Sequence, residues 1–533
     1  MNKNKIIIIG IILIIIYFIT GIITINNYGI TLDYELEHDY ALRNYDYITG
    51  KNININFYIK QYLYSPSNVG NLLGIITEKI FYNKLNILPF DSAFHLAGII
   101  IGTLTAIVVF LFALEAAGVT TAIFSLVPFL LFPRIIGHIH NNIKDVSVMF
   151  GFVIVLFSVY KLTTKKNSTW LYISAAALAI ALNTKVFAFF LIIIIALWIG
   201  LTKRDLIKKS FKSKNKNEIV KTILITIIIF FVTIIIFNPG YWKDPINVYN
   251  TFFMLNNFNH GISSNPNPEP VMFFGMIHNQ ENLPRYYYVA TLLMTTPLLI
   301  LILSIIGIKE IFRSDYVKLL VIWIVLPLLI YQLKGLSMYN VTRHILYIIP
   351  AICMLAGVGT KILIEKIKKI KIKKPYKKIL SISLIITITV LYLLILKEII
   401  VYHPYQTTYF NEITGGIQGV ENKLDIEYYG NSYKEGVLWL NKILDNKSIV
   451  IDPMGNTNGH RITKFYINKN IIISDIQKIT ADNINNENNQ YIIYMTHKPY
   501  YDTLINYVEK EEVPIHEIKV KNEPIFKIFK LNK

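Results

Sequence analysis

The stretch N-Y-G-I-T-L-D-Y-E-L-E-H-D-Y-A-L-R-N, residues 27–44, places Asp33, Glu35, Glu37, His38 and Asp39 within seven positions, directly behind an apolar run. A carboxylate within hydrogen-bond reach of a hydroxyl or amine can take its proton as that group attacks. Three other places in the chain carry complementary groups: His138, His140, Lys144 and Asp145; then Lys185; then Arg343 and His344. Guanidinium, ammonium and protonated imidazole suit a departing phosphate, because they neutralise the charge that builds on it. A base together with such cations is the equipment for moving a sugar from a lipid phosphate to an acceptor. Each group also has a plainer reading. Residues 33–39 would serve as a solvated loop start, Lys144 and Asp145 as an interfacial ion pair with a snorkelling lysine. Arg343 and His344 would anchor a membrane span, and Lys185 would mark a helix end.

The elements that must position these groups are membrane helices. The chain has 533 residues, 53% of them hydrophobic, and a mean hydropathy of +0.45, more than a water-soluble domain can cover with polar groups. Residues 6–25 carry no charge, about 30 Å of helix and enough to cross a bilayer. The run is longer than a signal-peptide core and lacks a small-x-small cleavage pattern, so it reads as a retained anchor. Lys3 and Lys5 precede it, which keeps the N-terminus in the cytoplasm and places residues 27–44 outside. Further spans are expected at 91–113, 118–133, 145–161, 169–183, 185–201, 219–238, 286–308, 317–332, 343–362 and 379–399, eleven in all. An odd number sends the C-terminus outside and leaves the lysine-rich blocks 203–221 and 361–378 in the cytoplasm, as the positive-inside bias requires. Reading 169–201 as one tilted helix would export both blocks. The net charge of +19 is therefore written largely into topology, and no nucleic-acid partner is expected. The single cysteine, Cys353, lies in an apolar run and allows no intrachain disulfide.

With this topology the candidate residues all fall at the outer face of the membrane. Most span centres are clean, unlike those of a transporter, which needs ionisable or broken-helix features near the midplane. Three regions lie outside: 26–90, 239–285 and 400–533, behind a membrane module of residues 1–399. In the last region short apolar runs at 448–451, 470–474 and 491–495, a helical stretch near 501–509 and two more strand-like pieces to residue 529 predict a small α/β domain from about residue 440. Residues 483–490 read as a polar loop.

Several motifs resemble glycosyltransferase family 39, the protein O-mannosyltransferase and aminoarabinose-transferase group of the GT-C superfamily. G-I-T-L-D-Y-E, residues 29–35, is similar to the acidic pair that follows the family's first span, although an adjacent Asp-Glu is the commoner form. F-P-R-I-I-G-H-I-H-N-N-I-K-D (132–145) resembles its short external hinge, P-R-Y-Y-Y (284–288) an aromatic start to a later span, and Y-N-V-T-R-H (339–344) an Arg-His opening of a late span. The most specific matches are H-P-Y-Q-T-T-Y-F-N-E-I-T-G-G (403–416) and D-I-E-Y-Y-G-N-S-Y-K-E-G (425–436). The resemblance implies a polytopic α-helical GT-C fold of about eleven transmembrane helices with a C-terminal extracytoplasmic α/β domain. It implies inverting transfer of a hexose or pentose from dolichyl or undecaprenyl phosphate, on the outer face of the cytoplasmic membrane, to a protein, glycan or lipid acceptor. Asp33 would be the catalytic base with Glu35 as the second carboxylate. Arg343, with Lys185 or His138, would contact the phosphate, and His38, Lys144, Asp145, His344, Tyr405 and Glu427 would complete the substrate site. The closing domain would shape the acceptor side. A divalent metal is not favoured: His138 and His140 with Asp33 make a weak ligand set, and the first loop has no D-x-D. The competing class is a non-catalytic polyprenyl-phosphate flippase or polysaccharide-assembly protein, which would need the cations but not Asp33.

Overall fold

The computed structural model describes residues 3–51, 69–205, 216–243, 270–333, 338–371, 373–446, 448–453, 460–474 and 490–531. The centre of the first lysine block (206–215), the middles of the first two external regions (52–68 and 244–269) and most of the polar run 483–490 lie outside the described residues.

A helix occupies each of the eleven expected span positions. In chain order these are α1 (Lys3–Thr24), α4 (Phe90–Ala117), α5 (Val119–Leu130) with α6 (Pro133–Asn141), α7 (Ile143–Lys165), α8 (Thr169–Thr184), α9 (Phe190–Thr202), α10 (Lys216–Ile236), α11 (Tyr287–Thr295) with α12 (Leu298–Ile308), α13 (Asp315–Ile330), α14 (Ile349–Lys369) and α15 (Lys374–Val401). Among the described residues, six helices are long and apolar enough to cross a membrane unaided, and up to eight if each bent pair counts as one span. The chain is a multi-pass helical membrane protein.

The breaks have local causes. Between α5 and α6 the axis turns by 63°: Phe132 is extended ahead of Pro133, as the residue before a proline prefers, and Pro133 opens α6 where its missing N–H costs nothing. Between α11 and α12 it turns by 115°, with Thr296 and Pro297 both leaving the helical region. The stretch 132–145 is thus not a bare hinge. It is a short helix, stopped at Asn142, whose side chain accepts from the Asp145 N–H and starts α7.

The region expected as an external loop, 26–90, is also largely helical where it is described. Asp33 stands at the N-cap of α2 (Tyr34–Ile48), and Glu35 and Glu37 in its first turn favour the positive helix end. Downstream, α3 (Val69–Glu78) packs tightly on α4 and α7: a Cβ on Gly74 would meet the Phe94 ring at 2.7 Å.

Past α15 a five-stranded sheet forms in the order β4 (Ile472–Ser474), β3 (Ile449–Ile451), β5 (Gln490–Met495), β7 (Glu523–Lys530) and β6 (His516–Val520), where β1 (Pro270–Phe273) and β2 (Met276–Asn279) form a separate hairpin. β4, β3 and β5 run parallel, whereas β7 is antiparallel to β5 and β6. β5 is buried along its whole length, which explains its continuous apolar run. Helices α16 (Tyr433–Leu440), α17 (His460–Tyr466) and α18 (Thr503–Glu511) accompany the sheet, with Tyr433 edge-on to Phe526 at 5.0 Å.

Candidate active site

Four distant parts of the chain bring six charges into one alternating chain. Asp33 does not cap α2 with its side chain; its carboxylate turns instead to the Arg343 guanidinium, with Lys144 Nζ 3.9 Å away. Lys144 pairs with Glu37 at 2.5 Å. Arg343 Nε donates to Asp145 at 3.1 Å, and Lys185 Nζ donates to the other oxygen of Asp145 at 2.7 Å. Lys185 also lies 2.9 Å from His344 Nδ1. Read in order, Glu37, Lys144, Asp33, Arg343, Asp145 and Lys185 alternate in sign, so the charges balance where no single buried ion could be tolerated.

Each member is held by its surroundings. Asn142 donates to Asp145 at 2.9 Å and lies 3.1 Å from His138 Nδ1. The Arg343 guanidinium rests 4.4 Å from the centre of the Tyr429 ring, a cation–π contact. Arg343 is delivered by a strained turn: Asn340 and Val341 both have positive φ, at 55° and 53°, a costly conformation for β-branched valine. The Val341 N–H is held at 3.0 Å by the Tyr287 hydroxyl. Lys185 takes its place because the backbone is extended there, between α8 and the 3-10 turn Val186–Phe189.

Exposure divides the carboxylates. The Asp145 side chain is 3% exposed and Arg343 5%, whereas Asp33 is 32% exposed. Asp33 is therefore the most accessible carboxylate of the cluster, with Glu37 at 14%. Burial opposes its charge, but Arg343 and Lys144 outweigh that effect and hold the carboxyl below the usual range. Close by, His138 Nε2, His344 Nε2 and the Tyr429 hydroxyl are buried with no hydrogen-bond partner among the described residues, so three polar groups are available to a ligand.

The remaining candidates lie elsewhere. Glu35 pairs with Lys464 at 2.5 Å, and Glu37 takes the place in the cluster expected for it. His38 pairs with Glu78 at 2.7 Å, and the Tyr405 hydroxyl donates to Glu435 at 2.5 Å. Glu427 is buried and accepts three backbone N–H groups, from Tyr429, Gly430 and Asn431, at 3.1, 2.6 and 3.1 Å. It therefore shapes the loop that puts Tyr429 against Arg343. Burial pushes its carboxyl up to about 7 against the lowering effect of those donors. His138 and His140 face different surroundings: His140 stacks on Tyr28 at 4.0 Å and lies 2.6 Å from the Ile136 carbonyl. Asp33 is engaged by Arg343, and among the described residues His138, His140 and Asp33 do not gather into a group that could hold a metal ion. Sequence reasoning missed Asn142, whose spacing to Asp145 is an N-cap signal, and Tyr429, whose contact is wholly non-local.

Residues 90–237 match the profile of the family described as dolichyl-phosphate-mannose-protein mannosyltransferase, in keeping with the motif resemblance. That stretch carries Lys144, Asp145 and Lys185, whereas Asp33 and Arg343 lie outside it. Among solved structures, the chain is similar to ArnT from Cupriavidus metallidurans bound to undecaprenyl phosphate, with a TM-score of 0.51 at 12% identity over 98% of this chain and 97% of that one. The apo state of the same ArnT gives 0.48 at 11% identity, over the same shares of the two chains. The archaeal oligosaccharyltransferase AglB from Archaeoglobus fulgidus, in complex with an inhibitory peptide and a dolichol-phosphate, gives 0.37 at 11% identity over 76% of this chain and 51% of that one. No curated protein matches. At such identities the likeness to the first of these is one of fold.

Proposed function

We propose that this chain is an inverting glycosyltransferase that moves a monosaccharide from a polyprenyl phosphate, dolichyl or undecaprenyl, to an acceptor on the outer face of the cytoplasmic membrane. It would cross the membrane eleven times, with the sheet-bearing region outside. The observation that carries the reading is the alternating cluster, in which one partly exposed carboxylate, Asp33, stands beside two cations, Arg343 and Lys144, with Lys185 held on the neighbouring Asp145. The fold shared with an undecaprenyl-phosphate-bound ArnT and the family match over 90–237 support the donor class.

In the reaction Asp33 takes the proton of the acceptor hydroxyl or amine as that atom bonds to the anomeric carbon. The bond from that carbon to the phosphate oxygen breaks on the opposite face, and the polyprenyl phosphate leaves with the electron pair. One base and one displacement give inversion, with no covalent intermediate. Arg343, with Lys185 beside it, meets the charge growing on the phosphate. His138, His344 and Tyr429, each with an unpartnered polar atom, are placed to hydrogen-bond the sugar or phosphate.

The resting cluster adds a step. Arg343 grips Asp33, and a carboxylate so held is a weak base. A donor phosphate that draws Arg343 toward itself releases Asp33 and restores its basicity, so donor binding prepares the base. In the free enzyme the acid limb of kcat/KM should lie below about 3.9, the ordinary aspartate value; in the donor-bound enzyme, read from kcat, it should lie higher.

Incubating purified protein with a labelled polyprenyl-phosphate sugar and membrane extract tests the reading. Release of free polyprenyl phosphate with label passing to an acceptor is expected. Donor that binds or changes leaflet but is never cleaved would favour the flippase reading instead.

A further inference from the structure

The seven residues that lead to Asp33 have no helix of their own beyond the turn Ile25–Asn27, so something else must fix them. The side-chain ammonium of Lys434, on α16, donates to the backbone carbonyls of Asn26 (2.8 Å) and Tyr28 (3.0 Å) and to the Asp91 carboxylate (2.7 Å). Three acceptors match its three N–H bonds, and the side chain is 13% exposed against 1% for Asp91. The Tyr466 hydroxyl, on α17, accepts the Ile30 N–H at 2.9 Å and donates to the same Asp91 carboxylate at 2.8 Å. The Leu32 N–H donates to the Tyr429 carbonyl at 3.1 Å. A Cβ on Gly29 would come within 2.7 Å of Lys434 Cβ, so the glycine is what lets the strand of chain lie this close. From Asn26 to Leu32, every second residue is tied to residues 429–466.

We propose that Lys434, clamped to Asp91, is a positioning residue for the base: it fixes segment 26–32 and thereby places the Asp33 carboxylate against Arg343. The role expected for the closing region is widened by this, since a part of the chain some 400 residues from Asp33 in sequence holds the reacting carboxylate in register. Asp91 opens α4 with its Oδ1 accepting the Ser92 N–H at 2.8 Å, so the clamp joins α4, the 26–32 segment and the sheet-bearing region at one point. A misplacement of about 1 Å is enough to cost about 100-fold in rate.

The proposal rests on the reading of Asp33 as base. Lys434→Met in the full-length protein is expected to lower kcat about 10- to 100-fold while donor KM stays unchanged. The acid limb of kcat/KM should move upward as Asp33 slips from Arg343. The groups facing Asp33 are Arg343, Lys144 and Asp145 of α7, Glu37 of α2 and Tyr429, and none is altered by the change. Lys434→Arg, which keeps the charge, should recover part of the rate. Should Lys434→Met fail to fold, Asp91→Asn supplies the same readings with a smaller shift, and hydrogen exchange at residues 26–32 should rise in that variant. Wild-type kcat and an unmoved acid limb, or a raised donor KM at constant kcat, would overturn the positioning role. An inactive Asp33→Asn beside an unaltered Lys434 variant rejects the clamp alone, whereas an active Asp33→Asn rejects the reading of the base.

Discussion

The long helices fall into two sets. In α1, α10 and α15 only 17, 11 and 17% of the spanning window is buried, against 72 and 61% in α4 and α7, and 89% in the span Arg343–Lys369 that contains α14. The first set is the more apolar by composition, as helices bathed in lipid should be. The inner set begins with the residues that matter: Asp91 in the first turn of α4, Lys144 and Asp145 in that of α7, and Arg343 six residues ahead of α14. The outer helices enclose and the inner helices present. A charge at the end of an inner helix finds partners on the other inner helices, as Asp145 does on Arg343, whereas Glu398 near the end of α15 pairs outside the bundle, with Lys521 of the sheet-bearing region.

The sharpest way to break this division is to remove the charge that an inner span presents. Arg343→Ala should slow transfer about 100- to 1,000-fold and weaken donor binding with it, because one contact serves both the bound phosphate and the charge developing on it. Arg343→Lys should recover a fraction, since it restores the charge without the planar fork. Steady-state kinetics beside equilibrium donor binding reads both, and unchanged affinity in the alanine variant would transfer the phosphate role to Lys185 or His138.

Packing offers the next test. A Cβ on Gly359 of α14 would collide with the Leu303 carbonyl oxygen of α12, two backbones in direct contact. Gly359→Ala should cost about 1–3 kcal/mol, visible as a lower Tm in detergent. A smaller effect is expected from Glu427. Its carboxyl is raised by burial to about 7, so its contribution to stability is full below about pH 4.3 and fades as pH rises through about 7. Glu427→Gln should flatten Tm against pH across that window; an unchanged slope would mean the loop at 427–431 does not feel the ionisation. Least of all should come from the lipid-facing set: Ile386→Ala on α15, 56% exposed, should stay within about 0.5 kcal/mol. A large loss there would erase the distinction between the two sets.

The helices were legible because a membrane span is coded by local composition, and each long apolar run formed a helix, six of them, or eight counting the bent pairs, long and apolar enough to cross a membrane among the described residues. Short β runs were legible for a similar reason: an all-apolar stretch such as Tyr491 to Met495 has few places to go but a buried strand. The identity of the second carboxylate was not. Read as loop, residues 33–39 offer Glu35 as readily as Glu37; folded as α2, they place Asp33 and Glu37 four apart on one face and turn Glu35 away to Lys464. The same period separates His138, beside Asn142, from His140, against Tyr28. Contacts such as Arg343 on Tyr429, or Lys434 on the Tyr28 carbonyl, join residues dozens to hundreds of positions apart and leave no local pattern to read.

In the proposed reaction one cluster divides its labour, Asp33 moving the proton and the cations holding the phosphate. Donor binding and single-turnover transfer measured together on Asp33→Asn test it most directly. Donor should bind at least as tightly as to the wild type, since Arg343 is then free of its partner, and transfer should slow about 100- to 10,000-fold. Transfer at the wild-type rate, or loss of donor binding in that variant, would contradict it.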